Sequence, residues 1–194
     1  MSVTATKEPE VDIAVSMHGA VGDDRDREEL KAALETAGAS TEGVRTIKKT
    51  KTGTAHITLN ATADSRVITV ARANGTVGPS RFSNLPTQKP DHLLLQLEIP
   101  LVTVENLIRC ARDEGVPVLL NAAPVLTAEQ SLDTQIYPLV DHFVVNEIQA
   151  NNQTNKTKPL YHDKDNPHKH YLSVCDVLHD RGRWDQGRCL TMRG

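Results

Sequence analysis

Four side chains able to hydrogen-bond a small molecule each stand at the end of an apolar run. Gln96 and Glu98 close the run that begins at Leu93, Asn121 closes Val116-Pro-Val-Leu-Leu-Asn121, and Asn146 closes Asp141-His-Phe-Val-Val-Asn146. Runs this short and this apolar read as buried parallel strands, because a strand half open to water would alternate polar and apolar residues. In an open parallel sheet, ligands bind beyond the carboxyl ends of the strands. Taken singly, each group is equally well explained as a solvated strand end or a helix cap. Three successive strands ending alike favour a shared crevice bordered by all four.

Other constellations are weaker. His168, His170, Cys175 and His179 are zinc-ligand types, yet they lack the paired spacing of a structural zinc site, so they read as a histidine-rich tail and no residue is assigned to a metal. Asp23 and Asp24 fit the electropositive start of a helix. Neither the Gly-x-x-x-x-Gly-Lys-Ser/Thr loop nor the Gly-x-Gly-x-x-Gly fingerprint occurs.

Several elements must position these groups. Residues 1–10 are polar and read as a disordered lead-in; Val11–Met17 reads as a strand, His18–Gly22 as a turn, and a helix from Asp24 presents Leu30, Ala33, Leu34 and Ala37 along one face up to Gly38. Thr54–Asn60 and Arg66–Arg72 suggest an antiparallel hairpin that interrupts the βα rhythm. The glycines and prolines of 74–90 read as a connection, with at most a short helix near Arg81. Asp91–Pro100 is then the central strand, expected to be buried on both faces. Leu101, Val104, Leu107, Ile108 and Ala111 line a helix that Gly115 ends, and Thr127-Ala-Glu-Gln130 fits a capping box for a helix from Ala128 to Tyr137. Residues 151–194 lack any sustained period and read as a polar tail.

The chain of 194 residues suggests one domain with one core. A net charge of −3 and a pI near 6.2 give no electrostatic reason to expect nucleic acid or an anionic membrane as partner. Three unrelated cysteines argue for a reducing, cytoplasmic setting. The first ten residues hold no apolar signal segment, and no run approaches the ~18 apolar residues of a membrane span.

Five blocks give the chain a resemblance. Met17-His-Gly-Ala-Val-Gly-Asp-Asp24, Thr52-Gly-Thr-Ala55, Leu93-Leu-Leu-Gln-Leu-Glu-Ile-Pro100, Leu120-Asn-Ala-Ala-Pro124 and Val145-Asn-Glu147 follow the order and spacing of the PfkB carbohydrate kinase family, ribokinase branch, over about residues 11–150. The resemblance implies a ribokinase-like three-layer α/β sandwich with a partial β-lid, the hairpin at about 54–72 belonging to that lid. It implies ATP-dependent phosphorylation of the ribose 5-hydroxyl with Mg²⁺ and K⁺, and a homodimer formed through the lid. Glu98 matches the family's sugar-contacting glutamate, and Asn146 opens its Asn-x-x-Glu motif near the ATP phosphates, where Gln149 replaces the carboxylate.

The chain also departs from the family's pattern. It has no Gly-Gly pair for the N-terminal sugar segment and no Gly-Ala-Gly-Asp to supply the catalytic base and anion hole. Hence no catalytic residue is assigned, and the expectation is a truncated, inactive kinase whose strand ending at Asn146 lies uncovered on at least one side. The alternatives are a non-catalytic sugar or nucleotide binder and a mis-spliced product.

Overall fold

The computed structural model describes residues 13–59, 65–81, 85, 89–127, 129–145 and 188–191. It separates the chain into two compact units, Met1–Ala73 and Asn74–Gly194, where composition had suggested a single core.

The first unit begins with strand β1 (Val15–Gly22), helix α1 (Arg25–Thr36) and strand β2 (Ala39–Ile47). β1 and β2 pair in parallel from Val15 opposite Ala39 to Gly22 opposite Ile47, with a bulge between Ser16 and His18. The His18–Gly22 turn expected from sequence is therefore the second half of a strand. Its glycines mimic a turn, but paired backbone and the burial of Ala20 and Val21 hold it extended. β2 went unforeseen, since only Thr41 and Val44 along it are buried and they do not alternate strictly. Gly38, at φ 86°, supplies the left-handed residue that ends α1. Strands β3 (Thr54–Leu59) and β4 (Ser65–Val70) then form the expected antiparallel hairpin, with Ile57 opposite Val67 and His56 opposite Ile68.

The second unit opens with short 3₁₀ turns at Asn74–Thr76 and Pro79–Arg81. A parallel sheet follows, ordered β5 (Leu93–Leu95), β6 (Val118–Asn121), β7 (His142–Val145) and β8 (Arg188–Thr191). Helix α2 (Leu101–Glu114) buries Val104, Leu107, Ile108 and Ala111 against Leu95, Leu120 and Phe143, and Gly115 ends it at φ 66°. Thr103 is buried as well, its Oγ1 donating to the Val77 carbonyl at 2.7 Å. Tyr137 meets Phe143 edge to face, ring centres 5.8 Å apart.

Three expectations are corrected here. The central strand is three residues long and is not buried on both faces: Leu93 and Leu95 turn toward the core while Leu94, between them, is 69% exposed. The helix expected over 128–137 is instead a 3₁₀ segment at Thr134–Leu139. Gln130 Oε1 does accept from Thr127, but Asp133 caps a later start through Gln135 N. Finally, β7 lies between β6 and β8, so the strand that leads to Asn146 is flanked on both sides, and part of the stretch read as tail joins the sheet. No helix among the described residues is long and apolar enough to cross a membrane.

Candidate functional site

The register of the second unit's sheet brings its polar strand ends to one edge. Leu95, Leu120 and Phe143 stand level across β5, β6 and β7, and the strands run parallel. Backbone pairing continues past them: Leu97 N donates to the Ala123 carbonyl at 2.7 Å, and Ala122 N to that of Val144 at 3.0 Å. Leu97 and Ala122 are buried, so their side chains pin this edge to the core. Gln96 and Glu98, on either side of Leu97, are exposed in consequence, and Asn121 is half-buried. Three of the four anticipated groups thus share the carboxyl edge; Asn146 lies outside the described residues, as do Gln149 and the histidines and cysteine considered for zinc.

Asp141 sits at the opposite edge. Its carboxylate accepts from Val118 N at 2.8 Å, while its own N–H donates to the Val118 carbonyl at 3.0 Å, so it serves as a clip between strand starts. Among the described residues, no group of three or more His, Cys, Asp or Glu is arranged to hold a metal ion.

The first unit holds a polar junction that sequence reasoning missed. Asp24 precedes α1, and its carboxylate accepts from Thr52 Oγ1 at 2.6 Å and Thr52 N at 2.8 Å. The Thr52 hydroxyl, followed by the Thr52 N–H, holds the Asp24 carboxyl below its ordinary value. The available signal was the pairing of two blocks, Gly22-Asp-Asp24 and Thr52-Gly53, which a linear reading keeps apart.

A sheet of parallel strands joined through a helix, carrying an exposed carboxylate and an amide at its carboxyl edge, defines an α/β protein. The family model described as pfkB family carbohydrate kinase matches residues 10–182. The chain belongs to that family. The match runs beyond residue 150, where the recognisable sequence blocks end. Among curated relatives, the ribokinase of Schizosaccharomyces pombe is 36% identical over 118 residues, covering 59% of this chain and 37% of its own length. The ribokinase of Bacillus subtilis is 34% identical, covering 60% of this chain and 40% of its own length. The chain therefore spans about two fifths of these relatives. Among solved structures, Arabidopsis thaliana ribokinase complexed with ribose and ATP superposes with a TM-score of 0.69 at 18% identity, covering 92% of this chain and 55% of that one. The ribokinase from Cryptococcus neoformans in complex with ADP gives 0.67 at 24% identity, with 88% and 53% covered. The fold is accordingly ribokinase-like α/β.

Proposed function

We propose that this chain carries the sugar-contacting edge of a ribokinase-type site, in which ATP phosphorylates the 5-hydroxyl of ribose. The observation that supports it is Glu98, an exposed carboxylate at the carboxyl edge of the sheet whose neighbour Leu97 is pinned by the core. A carboxylate held in that way can accept hydrogen bonds from sugar hydroxyls, each worth about 1.5–3 kcal/mol when charge-assisted. Asn146 is the proposed ATP-side residue. Mg²⁺ and K⁺ belong to this reading through family membership, and no described residue is assigned to either. The exposed apolar hairpin residues Ile57, Val67 and Ile68 support the homodimer through the lid, and a cytoplasmic setting goes with the small-molecule substrates.

Phosphoryl transfer requires a positioned base and neutralisation of the transferring group, contributions of about 10²–10⁴-fold and 10²–10³-fold respectively. The 194 residues hold no Gly-Ala-Gly-Asp to supply them. The chain by itself should therefore bind ribose without turning it over. Calorimetric titration of the purified chain with ribose tests the binding. Glu98→Ala should weaken it by at least tenfold, and unchanged affinity would discard the assignment. A coupled ADP-release assay with ribose, Mg²⁺ and K⁺ tests turnover; ribose-dependent ADP release abolished in Asn146→Ala would show that a base is present.

A further inference from the structure

Around the carboxyl end of β5, burial alternates residue by residue: Leu95 and Leu97 are buried, Gln96 and Glu98 exposed. Successive residues of an extended chain point to opposite faces, so Gln96 and Glu98 share the face turned away from α2, to which Leu94 also belongs. The backbone is fixed on either side of Gln96. Leu95 stands opposite Leu120, and Leu97 N donates to the Ala123 carbonyl at 2.7 Å. One further step of that register sets Gln96 level with Asn121 on β6, itself level with Val144 on β7. Neighbouring strands lie about 4.8 Å apart, and residues two apart on one strand about 6.6 Å. The amides of Gln96 and Asn121 and the carboxylate of Glu98 therefore stem from one small patch.

These groups differ in what they offer a ligand. An ionised carboxylate only accepts, whereas a glutamine amide carries two N–H donors beside its carbonyl. A sugar hydroxyl both donates and accepts, so a hydroxyl that donates to Glu98 leaves its oxygen lone pairs to be met by a donor. Gln96 is the donor-bearing side chain next to Glu98 on this face of the strand, since Leu94 before it is apolar. Neither the Gln96 nor the Glu98 side chain hydrogen-bonds to another described residue, so the fold leaves both open to a ligand. Gln96 also lies between two residues pinned by the core, which keeps its backbone from drifting away from Glu98.

We propose that Gln96 is a second sugar-contacting residue, its amide N–H donating to the same hydroxyl that donates to Glu98. The inference rests on the sugar reading of Glu98 and adds a donor to it. One shared hydroxyl makes the two side chains interdependent: once Glu98 is removed, the hydroxyl is free to turn and the amide's bond to it weakens. Side chains holding separate hydroxyls would act additively.

Calorimetric titration with ribose of the wild-type chain, Glu98→Ala, Gln96→Met and the double variant tests it; methionine keeps the length of glutamine and loses its amide. Gln96→Met should weaken binding about three- to tenfold, the range for one neutral hydrogen bond, and in the Glu98→Ala background by no more than about twofold. Gln96→Ala should behave as Gln96→Met, and decides if the latter does not fold. Leu94→Ala, which alters the same face one step earlier, should leave the affinity unchanged. Ribose that fails to bind the wild-type chain, or binds Glu98→Ala as tightly, would discard the sugar reading and this inference with it. A loss in Glu98→Ala with none in Gln96→Met would discard this inference alone. So would an undiminished effect of Gln96→Met in the double variant, or a loss as large in Leu94→Ala.

Discussion

Helices α1 and α2 carry the same apolar spacing and meet opposite fates. Leu30, Ala33, Leu34 and Ala37 recur at i, i+3, i+4 and i+7, as do Val104, Leu107, Ile108 and Ala111. The second set is buried; α1 buries no residue, and Leu30 is 46% exposed. The difference lies in what each helix finds nearby. α2 has three apolar strands and the Thr134–Leu139 segment beneath it, so its stripe completes a core. α1 has a two-stranded sheet whose outer residues Val15 and Met17 are themselves exposed. The first unit is therefore held largely by directed polar contacts around Thr52, and the second by non-directional apolar burial. Periodicity announces a face; it does not supply the surface that covers it.

This contrast predicts unequal responses to mutation. Ile108→Ala, in the tightest part of the second unit, should cost about 2–5 kcal/mol through lost burial and the cavity left behind. Urea denaturation followed by circular dichroism measures it, and a loss below about 1 kcal/mol would show that this core is not what holds the unit. Gly22→Ala, at the polar junction, should cost about 1–3 kcal/mol, because the backbone of Lys51 and Thr52 must move aside. Its effect should appear as faster amide exchange at Thr52 with the second unit's amides unaltered.

Acid should act on the first unit through Asp24. Its carboxyl in the folded chain lies below the ordinary 3.8, so its contribution is complete above that pH and fades as pH falls through the folded value. Exchange at Thr52, corrected for its intrinsic pH dependence, should accelerate below pH 3.8 in wild type and show no such step in Asp24→Asn. Smallest of all, Leu30→Ala should change stability by no more than about 0.5 kcal/mol, despite sharing its pattern with the buried stripe of α2. A loss as large as that of Ile108→Ala would erase the distinction between the two helices.

Much of the second unit was legible in the sequence. The apolar runs gave β5, β6 and β7, and the 3.6-residue stripe ending at Gly115 gave α2 nearly to the residue, because burial, propensity and termination signals agree there. Parallel pairing then required Gln96, Glu98 and Asn121 to share an edge. The hairpin was legible from its two threonine- and isoleucine-containing runs and the short polar stretch between them. The Thr127–Gln130 signal misled because it is local: the bonds form, yet the Asp133 cap starts the helical segment further toward the carboxyl side.

What the sequence determined by itself was the type and order of these elements, since chain sterics and hydrophobic period act over a few residues. Tertiary structure decided which faces are covered, that Leu94 stays open between two core residues, that β8 arrives from far along the chain, and that Asp24 accepts from Thr52. Each of these depends on groups brought together from distant positions, 28 residues apart for Asp24 and Thr52, and no local pattern encodes which distant partner a polar or apolar group will find.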